Sequence, residues 1–145
     1  MRLKNLCRMS VIEILLAGQL LMATGILELA LRVMLFHRLV SWVRWGAATW
    51  CAHFLPLGRR RVSWKRLISL TDSAVHFWRG KDGCLRRSLI LLWLLVSRGH
   101  EAVLVIGVRR DSTEPFSGHA WIEVGNSPMA QDRRKLSRFA ELSRH

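Results

Sequence analysis

Cysteine, proline and acidic side chains are scarce in this chain of 145 residues, and each scarcity excludes something. Three cysteines, Cys7, Cys51 and Cys84, are too few and too scattered for a disulfide framework, and none shows the paired spacing of a zinc site. A reducing cytosol is the expected compartment, with no metal and no cofactor expected. With only 3 Pro and 10 Gly, a collagen-like or low-complexity chain is excluded. The 50% apolar content argues against wholesale disorder. Ten acids stand against 23 Lys and Arg, a net charge of +13. Such a surplus suits nucleic acid, an anionic membrane or an acidic protein partner. The basic clusters, such as Arg59-Arg60-Arg61 and Arg133-Arg134-Lys135, are spread along the chain. No helix-turn-helix, RRM or zinc-finger signature accompanies them, so nucleic acid is not the expected partner.

A long charge-free run is also missing. The most apolar stretch, Val11 to Phe36, is interrupted by Glu13, Gln19, Glu28 and Arg32. Its charge-free part, Ile14 to Leu27, has 14 residues, short of the 18–20 or so of a spanning helix. Arg2, Lys4 and Arg8 ahead of it have the form of a signal peptide's basic region. Against that, Glu13 and Gln19 are poor members of an apolar segment, and no small-residue cleavage site follows. We read Val11 to Val43 as one or two buried or amphipathic helices. Gly18, Gly25 and Gly46 are candidate breaks, and membrane-surface association is a secondary expectation.

What is present falls into two parts. Leu55-Pro56-Leu57-Gly58 is a breaker, dividing an N-terminal helical region, 1–58, from a core, 59–145. From Ser63, an N-cap residue, apolar side chains recur at helical spacing to near Gly80. Cys84 to Arg98 is a second helix, apolar all round from Leu89 to Val96 and therefore buried. Gly99 sits at its C′ position. Ala102 to Val108 is β-branched and strand-like, and Arg109 to Phe116 reads as a loop. Gly118 to Val124 is a second strand, Gly125-Asn126 a hairpin turn, and Met129 to Asp132 a short third strand. The basic tail from Arg133 is expected to be helical. Helices followed by a small antiparallel meander make an α+β fold.

Chemistry concentrates in the core. Cys84 opens a helix, where unpaired amides and the helix dipole stabilise a thiolate. Arg86 and Arg87 add positive charge. His119 lies on a rigid strand, and a Cys/His pair needs a third polar group to fix the imidazole. If Gly125-Asn126 turns the chain back, Asp132 comes beside His119. Glu123 shares His119's strand face but lies roughly 13 Å along it, beyond direct reach. Trp78 and Trp121 are candidates for a substrate groove. The competing reading is a basic module for nucleic acid or membrane surfaces.

Taken together, Cys84-Leu85-Arg86-Arg87-Ser88-Leu89, Arg98-Gly99, Ile106-Gly107-Val108-Arg109 and His119-Ala120-Trp121-Ile122-Glu123 resemble the stand-alone leader peptidases of lasso-peptide biosynthesis. That family lies in the transglutaminase-like, papain-like cysteine-protease superfamily. The resemblance covers about residues 60–140. It implies a cysteine-loaded helix on a small antiparallel sheet, with Cys84 as nucleophile, His119 as base and Asp132 as its orienter. The implied partners are a precursor peptide, a winged-helix leader-recognition protein and a macrolactam-forming cyclase. Transglutaminase-like acyl transfer on the same fold is the sibling chemistry.

Overall fold

The computed structural model describes residues 10–49, 60–78, 83–109, 118–129, 131 and 133–145. Among them run α1 (Val11–Val33), α2 (Phe36–Ala48), α3 (Trp64–Phe77), α4 (Gly83–Val96), β1 (Val103–Arg109), β2 (Gly118–Val124), β3 (Ser127–Pro128), α5 (Arg133–Leu136) and β4 (Phe139–Arg144). Helices precede strands, so the fold is α+β as expected.

The apolar N-terminal stretch forms two helices. Ser10 caps α1 in a capping box with Glu13, whose carboxylate accepts from the Ser10 amide at 3.0 Å. The break falls at Met34 and Leu35, both extended, and none of the three glycines interrupts a helix. Gly25 is there for contact: a Cβ on it would lie 2.8 Å from the Trp78 ring. Ser63 caps α3 as its sequence suggests, accepting from the Arg66 amide. α4 is buried along most of its length, as its all-round apolar surface requires. It ends where Gly99 takes a left-handed φ of 83°.

The sheet order is β3-β2-β1-β4, all antiparallel. Gly125 and Asn126 both have positive φ, 55° and 61°, and join β2 to β3 in a tight hairpin. Two expectations need correction. The third strand is Ser127–Pro128 rather than Met129 to Asp132, because the tight turn starts pairing at once. The basic tail gives one helical turn and then β4, which pairs along β1. The sheet is therefore not a simple meander: its last strand crosses to the far side of its first. Phe139, packed against Val105, Trp121 and Leu136, favours that pairing over a solvent helix.

One large core joins α1 to α4 with Leu104, Ala120 and Ile122 of the sheet. The opposite sheet face buries Val105, Trp121 and Leu136, with Phe139 against them. Trp121 lies flat across Gly107, where an added Cβ would come within 2.9 Å of the ring and 3.0 Å of the Ala140 carbonyl. The proposed boundary at 55–58, the segments 79–82 and 110–117, and Cys7, Cys51 and Asp132 lie outside the described residues.

Candidate active site

β3 is two residues long and pairs with Glu123 and Val124, the Met129 amide then donates to the Ile122 carbonyl at 2.8 Å, and at Ala120 the same edge of β2 meets α4. There the backbone of Ala120 is used twice. Its carbonyl accepts from the buried Ser88 hydroxyl at 3.0 Å. Its amide donates to the sulfur of Cys84. Cys84 and Ser88 are four residues apart, one turn on the same face of α4. The helix is thus registered on the strand by adjacent turns, which sets the sulfur opposite the residue before Ala120. That residue is His119.

Cys84 and His119, far apart in sequence, are hydrogen-bonded to each other. The imidazole's second partner is the Gln131 side chain, whose Oε1 lies 2.9 Å from Nε2. That contact occupies Nε2 and leaves Nδ1 for the sulfur. The ring stacks on Trp121, centroids 6.2 Å apart, and meets Phe139 at 5.1 Å. Both ring nitrogens and the ring faces are therefore engaged, so the imidazole has a defined orientation.

The electrostatics follow from these contacts. The hydrogen bond from His119 holds the Cys84 thiol below its usual range, helped by the amides of Ala120 and Leu85; partial burial opposes this. His119 is raised, first by Cys84 and further by Gln131, against burial and the charge of Arg87. The two shifts are one event: each charge stabilises the other, favouring a thiolate–imidazolium pair. Such a pair is a preformed nucleophile with its proton donor attached.

The sequence reading named Cys84 and His119, and the structure brings these two together. Gln131 was not selected, although it directly precedes Asp132. Its signal was a carboxamide in the segment the hairpin returns toward His119. Glu123 is engaged elsewhere, accepting from Trp121 Nε1 at 3.0 Å and pairing with Arg144 at 2.9 Å. Trp121 supports the imidazole from a buried position. Trp78 packs on α1 instead, its indole donating to the Leu21 carbonyl at 3.2 Å. The two arginines after Cys84 part ways. Arg87 pairs with Asp72 at 2.6 Å, while Arg86 is fully buried on the far side of α4, bonded to Glu28 at 2.8 Å. Among the described residues no cluster of His, Cys, Asp and Glu is arranged to hold a metal.

The model of the transglutaminase-like superfamily matches residues 26–144. The chain is also similar to the microcin J25-processing protein McjB of Escherichia coli, 45% identical over 83 residues. That match covers 54% of this chain and 38% of the relative, so it spans well under half of the relative's length. No solved structure matches.

Proposed function

We propose that this chain, which belongs to the transglutaminase-like superfamily and is similar over part of its length to a microcin-processing protein, takes part in lasso-peptide processing as a cysteine peptidase. Its reaction is removal of the leader from a ribosomally made lasso-peptide precursor. The single observation that carries this reading is the hydrogen-bonded Cys84–His119 pair, with the imidazole held from behind by Gln131.

The Cys84 thiolate adds to the carbonyl after the leader, forming a C–S bond and an oxyanion. The amide of Cys84, in the first turn of its helix, would donate to that oxyanion. His119 gives its proton to the departing amine as the C–N bond breaks. Water, deprotonated by His119, then adds to the thioester, and the acid leaves as the thiolate is restored. The orienting group comes from the adjacent pair Gln131 and Asp132. Gln131 supplies a carboxamide at Nε2, and the resemblance assigns the same role to Asp132. A leader-recognition protein would present the precursor, and a cyclase would take the freed core peptide. The cytosol is the compartment in which these steps and a reduced Cys84 belong together.

The test is cleavage of the precursor, followed by mass spectrometry, with wild-type protein and C84A. Cleavage at one bond that C84A abolishes supports the reading. Cleavage that survives C84A would refute it. A product carrying a new amine in place of water would assign acyl transfer.

A further inference from the structure

α1 carries two apolar stripes. One, with Leu16, Leu20 and Leu27, is buried in the core. The other faces outward: Ile14, Leu15, Met22, Ile26, Leu29 and Val33 are all at least half exposed. This ridge runs the length of a helix of 23 residues, about 34 Å at 1.5 Å per residue. Beside it, Trp42 and Trp45 of α2 stand partly exposed around an apolar cavity of about 420 Å³ whose floor is Leu89 and Trp93.

We propose that this face of α1 and α2 lies on an anionic lipid bilayer, peripherally and without crossing it. Three observations choose that occupant. First, both carboxylates of α1 are taken up by cations. Glu13 binds Arg66 at 2.6 Å, and Glu28 binds Arg86 at 2.8 Å and Arg32 at 3.0 Å. The outward ridge therefore carries no unpaired negative charge. The same bonds pin both ends of α1 to α3 and α4, which keeps the helix on the domain rather than threaded through a membrane. Second, the charge is complementary. The chain bears +13, and Arg38 lies one turn before Trp42 on the exposed face of α2. Apolar depth with a cationic border suits an acidic lipid surface, and indole rings favour that boundary. Third, the exposed members of the ridge are apolar, with polar Gln19 and Thr49 confined to the lining of the neighbouring cavity. A protein interface ordinarily makes about one hydrogen bond per 100–200 Å², and this surface offers almost nothing for a partner to read.

The experiment is flotation of the full-length protein with vesicles of phosphatidylcholine alone or with about a quarter phosphatidylglycerol. Binding should require the anionic lipid at low salt. M22E and I26E, at positions 69% and 52% exposed, should each weaken it about tenfold, since each replaces an immersed apolar side chain by a charge. Far-UV circular dichroism checks that they fold. A measurement on the wild type needs no variant: brominated acyl chains should quench its tryptophan fluorescence. Three results would overturn the proposal: no flotation with any vesicle, flotation unchanged in both variants, or a self-associated species that M22E splits, which would make a second copy the occupant. None depends on peptidase activity, so this inference and the proposed function fail separately.

Discussion

Among the described residues Arg86 is the largest fully buried side chain, and there its guanidinium bonds to Glu28. Its Nε and Nη2 have no hydrogen-bond acceptor among the described residues. Replacing Glu28 with Ala therefore strands a cation in the core. Breaking a buried pair in this way costs about 3–5 kcal/mol. Glu28 also binds Arg32, but the Arg32 side chain is 73% exposed, so that pair adds at most about 0.5 kcal/mol. The expected loss of about 4 kcal/mol is a large share of the 5–15 kcal/mol or so that stabilises a domain. In urea, with a slope of about 2 kcal/mol/M, the midpoint should fall by roughly 2 M. The penalty belongs to the stranded charge, so adding Arg86→Met should restore most of the loss, an apolar side chain of similar length filling the space. A loss below about 1 kcal/mol in E28A, or a double variant no more stable than the single one, would refute the reasoning. It would mean that Arg86 escapes to water at little cost.

In the pH dependence, Cys84 is lowered and His119 raised, each chiefly by the other. A lowered acid contributes stability that disappears as pH falls through its folded value; a raised base contributes stability that disappears as pH rises through its own. The pair is therefore populated between those limits, and activity should trace a bell with Cys84 on the acid limb and His119 on the alkaline one. In H119A the thiol loses its main support while burial still opposes ionisation, so the thiolate fraction near neutral pH should fall. Alkylation located by mass spectrometry should show Cys84 labelling many-fold more slowly there than in the wild type; equal rates would count against the ion pair. Q131A removes a hydrogen bond to a charged imidazole, worth about 1.5–3 kcal/mol, and should lower kcat roughly 10- to 150-fold with KM little changed. If D132A alone slows turnover, the Gln131 contact has no part in orientation. G107A would drive a methyl into the Trp121 ring. That should cost about 1–3 kcal/mol and lower Tm by about 3–10 °C, whereas an unchanged melting curve would show that Trp121 can move aside.

Much of this architecture could be read from local chemistry. Ser63, Gly99 and Gly125-Asn126 each have a stereochemical reason to begin or end an element, and each does so. β2 was readable as Gly118–Val124 because a β-branched and aromatic run meets a turn. The failures have causes too. The break at Met34-Leu35 has neither Gly nor Pro to signal it, both residues simply being extended. β4 was hidden because Phe139–Arg144 is an edge strand with Glu141, Leu142 and Arg144 exposed, and such a pattern also suits a solvent helix. The site divided the same way. Cys84 and His119 announce themselves by residue type and setting. The Gln131 contact depends on hairpin geometry beyond residue 128, which a one-residue difference in strand limits alters.

α4 acts as a partition wall. Cys84 and Ser88 look toward the sheet, whereas Arg86, Leu89 and Trp93 look toward the N-terminal helices. One helical diameter, about 10 Å, insulates a wet reaction from an oily exterior. A protein resting on its tryptophan side would still hold its sulfur toward solvent, where a flexible peptide arriving from the water can find it. The two sides can also be altered at different side chains.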